Sequence, residues 1–263
     1  MFDIPQRTPL VGMGSYADVL RIAEDRVLKK PKIYPDHKPE LAYSNFINRA
    51  ELQNEKAVYE RLGSHDGIIH CFKALDESIE LAFANQGDLE KYIQTNSSPS
   101  RELRAKWIRS LADVFSYVHV HSRRVVLQDV ALRNILVHNN SLKLCDFGDS
   151  SLLPLDTNMQ QFCESGTTPQ IEILYVGCVV YSIAVWQEFK YDYFKNECFP
   201  EAEELPAMNS VLFASVIRKC WTRGYASMEA LRKDVHNTAE CLPAISVQRF
   251  LTGEGRIAEV PAI

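Results

Sequence analysis

The stretch Leu127-Gln128-Asp129-Val130-Ala131-Leu132-Arg133-Asn134-Ile135-Leu136-Val137-His138-Asn139-Asn140-Ser141-Leu142-Lys143-Leu144-Cys145-Asp146-Phe147-Gly148 decides how the rest of the chain is read. Two short apolar runs, Ile135-Leu136-Val137 and Leu142-Lys143-Leu144-Cys145, flank a polar Asn-Asn-Ser turn, which is the signature of a hairpin. Asp129 and Asn134 precede its first strand and Asp146 follows its second. The hairpin therefore holds a possible base, a neutral oxygen ligand and a carboxylate.

Phosphoryl transfer needs such a set. A carboxylate orients the hydroxyl nucleophile, and oxygen ligands hold the Mg²⁺ ions that neutralise a triphosphate. Asp-x-x-x-x-Asn, a hairpin and Asp-Phe-Gly, in that order, resemble the catalytic loop and metal-binding segment of the eukaryotic protein kinases. The resemblance implies ATP and Mg²⁺ as cofactors, with Asp129 as catalytic base, Asn134 as the second metal ligand and Asp146 as the principal one. Ala131-Leu132-Arg133 is similar to the tyrosine-kinase and tyrosine-kinase-like pattern; serine/threonine kinases usually carry lysine at the position of Ala131.

Composition is compatible. The 263 residues suffice for one two-lobed domain with a sizeable core, and 46% apolar with 24% charged residues is ordinary for a globular protein. A net charge of −5 argues against nucleic acid or an anionic membrane as partner. Seven scattered cysteines without a Cys-x-x-Cys pair point to reduced thiols in a cytosolic or nuclear compartment. Met1 to Arg7 shows neither an apolar leader nor a myristoylation pattern. The longest apolar stretch, Ile173 to Trp186, falls short of the roughly 20 residues that span a bilayer and fits a buried helix.

Ahead of the hairpin, Val11-Gly12-Met13-Gly14-Ser15-Tyr16-Ala17-Asp18-Val19 resembles the kinase glycine-rich loop, with Ala17 at the third glycine. By that resemblance Gly12 and Gly14 let the backbone approach the phosphates, and Val11 and Val19 cover the adenine. Val27-Leu28-Lys29-Lys30 reads as the strand of the phosphate-anchoring lysine; Lys29 is the choice, and Lys30 falls on the opposite face. A helical pattern from Phe46 to Leu62, with Phe46, Ile47, Ala50, Leu52, Ala57, Val58 and Leu62 apolar, places Glu55 as the partner that orients Lys29. Ile79 to Ala84 resembles the last strand before the hinge, with Leu81 at the gatekeeper position and the backbone of Ala82 to Ala84 meeting the adenine edge. Leu136 belongs to the same nucleotide pocket. Asp88 caps the next helix.

Beyond the hinge, Leu103 to His119 is amphipathic and leads to the catalytic loop. Leu127-Gln128 replaces the family's His-Arg before Asp129, and that arginine normally pairs with a phosphorylated activation loop. Asp149 to Ile171 contains no Ala-Pro-Glu and is short for an activation segment, and Glu172 stands for an aspartate at the start of the next helix. Cys145 would face the pocket as an apolar filler. Val216 to Trp221 and Tyr225 to Leu231 are similar to the last helices of tyrosine-kinase-like domains, with Cys220-Trp221 in a packing role.

These features predict an α+β, two-lobed protein-kinase-like fold in one domain over 1–263: a β-rich lobe to about 84, a helical lobe to about 242 and a loosely ordered tail over 243–263. The function implied is transfer of the ATP γ-phosphate to a protein hydroxyl. The alternative is a catalytically weak or inactive pseudokinase acting as a nucleotide-binding signalling scaffold; the short segment, Leu127-Gln128 and Ala17 speak for it. A small-molecule kinase is disfavoured by Asp-Phe-Gly and the late Cys-Trp helix.

Overall fold

Short apolar runs broken by Gly14-Ser15, Glu24-Asp25 and Asp76-Glu77 build a five-stranded antiparallel sheet. Its strands are β1 (Leu10–Met13), β2 (Ala17–Arg21), β3 (Arg26–Pro31), β4 (Cys71–Leu75) and β5 (Ser78–Ala82), in the order β1-β2-β3-β5-β4. The computed structural model describes residues 9–35, 37–120, 122–159, 162–164 and 166–238, so the expected tail over 243–263 lies outside the described residues.

One helix, α1 (Ala42–Leu62), packs on β3 and β5 and buries Leu52, Glu55, Val58, Tyr59 and Leu62. It starts four residues before Phe46, and Phe46 and Ala50, read as core positions, are exposed. The reason is that its first turns dock through amides rather than hydrocarbon. Asn45 Oδ1 accepts the Tyr34 N–H at 2.8 Å and its Nδ2 donates to the Tyr34 carbonyl at 2.9 Å, while Asn48 Nδ2 donates to the Lys32 carbonyl at 2.7 Å.

Helices dominate the second half of the chain: α2 (Leu89–Thr95), α3 (Arg101–His119), α4 (Pro169–Val185), α5 (Tyr193–Asn196), α6 (Ala214–Trp221) and α7 (Met228–Asn237). Their starts obey capping chemistry: Asp88, Ser100, Thr168 and Ser227 each accept a backbone N–H of the first turn. α4 is apolar nearly all round and is correspondingly buried, with α6 against it and α3 nearby. At the α4–α6 crossing a Cβ on Gly177 would lie 2.6 Å from Cys220 Cβ, so only glycine admits this approach. Cys220 and Trp221 are fully buried there, in the packing role expected of them.

The expected hairpin is β7 (Ile135–His138) with β8 (Ser141–Leu144). Asn139 and Asn140 both take positive φ, 49° and 57°, as a two-residue primed turn demands. Trp107 Nε1 on α3 donates to the Asn140 carbonyl at 2.8 Å and fixes the turn to the helical part. A shorter pair, β6 (Val125–Leu127) with β9 (Ser150–Leu152), brackets the hairpin in sequence. The result is a mixed α+β architecture, sheet-rich first and helical second. Among the described residues no helix is long and apolar enough to cross a membrane.

Candidate active site

Three ionisable side chains from three elements meet between sheet and helices. Lys29 on β3 is buried, and its Nζ lies 2.6 Å from Glu55 Oε2 on α1 and 2.7 Å from Asp146 Oδ1 beyond β8. Lys29 makes these contacts and its neighbour Lys30 does not. Burial works against the Lys29 charge, but Glu55 and Asp146 outweigh it and hold the ammonium above its ordinary range. Burial pushes the Glu55 carboxyl up, against the pull of Lys29.

Asp146 sits at φ 61°, a left-handed conformation that costs a non-glycine residue roughly 1 kcal/mol or more and persists only when the surroundings impose it. They do so from both sides: Lys29 holds the carboxylate, and Phe147 is buried with its ring edge-on to Tyr59 of α1 at 5.1 Å. α1 also grips the backbone on either side of β9. Asn54 Nδ2 donates to the carbonyls of Gly148 (2.6 Å) and Ser150 (2.7 Å), and Arg61 donates to those of Arg123 (3.1 Å) and Leu153 (3.0 Å).

Asp129, Asn134 and Asp146 line one cavity, joined there by Asp149 and Cys145. Asn134 Nδ2 donates to the Asp129 carbonyl (2.9 Å) and carboxylate (2.8 Å), which leaves the amide oxygen as the atom available to a cation. That oxygen and the half-exposed Asp146 carboxylate are hard donors of the kind Mg²⁺ prefers. Among the described residues no three His, Cys, Asp or Glu side chains form a metal cluster, and a Mg²⁺ ion held by Asp146 and Asn134 would take its other ligands from nucleotide or water. The Cys145 thiol is pushed up by burial, and it bonds the Asn134 carbonyl at 3.4 Å, in keeping with a filler.

The backbone that leads to Asp129 is held from below. Glu172, wholly buried at the start of α4, accepts the Leu127 N–H at 3.3 Å and meets His119 Nε2 at 2.7 Å. Gln128, in the place of the family's arginine, donates through Nε2 to Ser151 Oγ at 2.6 Å, tying β6 to β9 without any phosphate.

The remaining predicted residues frame the upper side. Gly12 and Gly14 lie at and beside the β1–β2 turn, with Val11 exposed, and Val19 pairs across the sheet with Lys29. Leu81 is buried on β5 opposite Val27. In the segment expected to meet adenine, the Ala82 N–H donates to the His70 carbonyl and the Phe83 N–H to that of Asp25, while the Ala84 N–H has no backbone acceptor among the described residues. Leu136 lies half-buried on β7, whose neighbour Val137 exchanges backbone bonds with Gln86 and Gly87.

Several participants were not anticipated. Arg133 forks onto both Asp129 oxygens, at 2.6 and 2.7 Å; the i, i+4 spacing of opposite charges was the available signal. Glu51, one turn before Glu55, lies beside Asp149; burial first, and then the charge of its partner for Glu51 and of Asp129 and Asp146 for Asp149, raises both carboxyls. Asn54 and His119 carried no signal, since each acts over a long sequence separation.

The sequence profile of the protein kinase domain matches residues 6–186, more than half of the chain. The chain is 28% identical over 165 residues, 62% of its length, to the mitogen-activated protein kinase kinase kinase dlk-1 of Caenorhabditis elegans, of which it covers 16%. It is 28% identical over 151 residues, 55% of its length, to human testis-specific serine/threonine-protein kinase 4, covering 44% of that protein. Mouse NUAK family SNF1-like kinase 1 matches at 28% over 172 residues, 62% of this chain and 25% of the relative. The chain thus spans less than half the length of each of these relatives. With the profile extending from the β1–β2 turn through the β7–β8 hairpin to the end of α4, the chain belongs to the protein kinase family.

Proposed function

We propose that the chain is an ATP- and Mg²⁺-dependent protein kinase that phosphorylates a protein hydroxyl. The observation that carries this reading is Lys29 bridging Glu55 and Asp146, at 2.6 and 2.7 Å. Bound Mg-ATP would supply the phosphoryl group, with the ion neutralising the triphosphate charge. Lys29, held charged by Glu55, is then placed for the α- and β-phosphates. Asp146 and the Asn134 oxygen hold metal, and Ala84 donates to the adenine edge between Val11, Val19, Leu81 and Leu136. Asp129, oriented by Asn134 and Arg133, positions the acceptor hydroxyl. Catalysis here is placement and charge neutralisation, so it collapses when a metal ligand goes.

The relatives' names favour serine or threonine as acceptor, whereas Ala131 and Arg133 match the tyrosine-kinase-like pattern. A second reading, a nucleotide-responsive pseudokinase, is favoured by one observation: Gly148 runs to α4 at Pro169 through a short segment without Ala-Pro-Glu, the region that docks peptide in active kinases.

The test is ATP turnover with Mg²⁺, by autophosphorylation and phosphate release, for the wild type and Asp146→Asn. Turnover lost in the variant supports the kinase. No turnover, with nucleotide still raising Tm, supports the pseudokinase. Neither turnover nor nucleotide binding overturns the site assignment.

A further inference from the structure

Lys32, the first residue after β3, meets the β1–β2 turn in three places. Its N–H donates to the Tyr16 carbonyl at 2.8 Å and its Nζ to the Gly14 carbonyl at 2.5 Å. The same ammonium stands 3.9 Å from Asp18 Oδ1, a buried oxygen that has no hydrogen-bond partner, so the Lys32 charge compensates it.

Beyond the β1–β2 ladder the tip of the turn has little packing, since Met13, Gly14, Ser15 and Tyr16 are exposed. Inside it the Gly14 N–H donates to the Ala17 carbonyl at 2.9 Å. Ala17 is buried where the glycine-rich pattern has its third glycine, which removes a point of backbone freedom. The turn is closed on itself, and Lys32 ties it to the body of the sheet.

The other side of Lys32 belongs to α1. Its carbonyl accepts Asn48 Nδ2 at 2.7 Å, next to the Asn45 amide that takes both backbone groups of Tyr34. Asn48 is buried, about two helical turns before Glu55, the residue that holds Lys29 at 2.6 Å. One residue thus joins helix to turn, its carbonyl fixed on α1 and its N–H and ammonium fixed on the turn.

We infer that Lys32 is a positioning residue that latches the β1–β2 turn to α1, so that the helix presenting Glu55 to Lys29 also sets the height of the turn. The inference rests on the proposed kinase reading in taking that turn as the cover of the phosphates. The latch closes on protein atoms alone, so the turn is held down before nucleotide arrives, and release of nucleotide waits on Lys32 letting go. A charged donor whose side chain is 21% exposed makes a bond strong enough to slow opening and weak enough to break.

The test is hydrogen exchange of the full chain by mass spectrometry, beside stopped-flow release of a fluorescent ADP analogue, mant-ADP, with Mg²⁺. Lys32→Met keeps the stem and removes the donor. It is expected to speed exchange over 12–18 about tenfold, with the Glu55 end of α1 unchanged, and to release mant-ADP about tenfold faster. Lys32→Arg, which keeps a cationic donor, is expected to exchange near the wild type. Asn48→Ala cuts only the helix end of the latch and is expected to speed exchange over 12–18 as well as over 32–34. Several results overturn the latch: a Lys32→Met turn no faster than the wild type, exchange raised alike across β3 and α1, an arginine variant as loose as the methionine one, or a turn indifferent to Asn48→Ala. A faster turn with unchanged mant-ADP release overturns its role at the nucleotide. A wild type that binds no mant-ADP overturns the kinase reading instead, and the exchange still decides the latch.

Discussion

His119 Nε2 at the end of α3 lies 2.7 Å from Glu172 Oε2 at the start of α4, and Glu172 is wholly inaccessible to water. The other Glu172 oxygen accepts the Leu127 N–H, two residues before Asp129. A buried carboxylate needs donors on both oxygens, and here one comes from a helix end and the other from the catalytic strand. His119→Ala strips one of them. Leaving a buried acceptor without its donor costs about 1–3 kcal/mol, and at about 2–4 °C per kcal/mol for a chain of this size the loss is visible as a lower Tm by calorimetry. Glu172→Gln keeps the shape and one of the two acceptors, and its NH2 can donate to an unprotonated His119 Nε2, so it is expected to lose less. Equal losses would mean that the charge, not the donor count, sets the stability of this junction.

Lys29 and Glu55 are expected to separate stability from turnover. Lys29→Met leaves Glu55 buried and unpaired, which costs about 3–5 kcal/mol, whereas Lys29→Met with Glu55→Met together replace the pair with hydrocarbon and recover most of it. On the proposed kinase reading both variants are expected to lose phosphoryl transfer, because neither would retain a cation at the phosphates. Denaturant titration beside an ATP turnover assay gives both readouts. A double variant no more stable than the single one would show that Asp146 rather than Glu55 is the chief partner of Lys29.

How legible this was depended on range. That Asp129, Asn134 and Asp146 come together in one cavity could be read because they are local: the Asn-Asn turn fixes the hairpin and the hairpin fixes their relation. Lys29 was picked by the Val-x-Lys pattern of the resemblance, and alternation along β3 put Lys30 on the other face. Helical periodicity failed at Phe46, since it counts hydrocarbon and knows nothing of the Asn45 and Asn48 amides that seat the first turns of α1 on the 32–34 backbone. Hinge spacing marked Ala82 to Ala84, but only the strand partners show that His70 and Asp25 consume the first two N–H groups. His119 with Glu172, and Asn54 with Gly148, join distant segments through single polar contacts, which leave no periodic trace.

Glu51 and Asp149 predict the pH dependence. Both carboxyls titrate above their ordinary range in the folded chain, through burial first and then neighbouring carboxylates: Asp149 beside Glu51, and Asp129 and Asp146 beside Asp149. For an acid raised on folding, the native state holds more protons than the unfolded one. The stabilisation is therefore present below the unfolded value near pH 4 and is lost as pH rises through the folded value. Stability is expected to fall on going from about pH 4 toward neutrality by this contribution, and Glu51→Gln, permanently neutral, to flatten that slope and raise Tm at neutral pH. Unchanged slopes in the variant would remove Glu51 from the account.

Gly177 tests the helical packing directly. A Cβ there would lie 2.6 Å from Cys220 Cβ and 3.0 Å from Trp221 Nε1, both on a fully buried face of α6. Neither neighbour is the free end of a flexible chain, so the helices must part. Gly177→Ala would gain up to about 1 kcal/mol of helix propensity on an isolated helix. Overpacking a close-packed interior costs about 1–3 kcal/mol, so the net change is expected to be a loss, read as an earlier denaturant midpoint. Pairing it with Cys220→Gly removes the Cβ on the other side and is expected to recover part of that loss. A Gly177→Ala chain at least as stable as the wild type would mean that α4 and α6 are free to slide, and that the close crossing does not hold the helical half together.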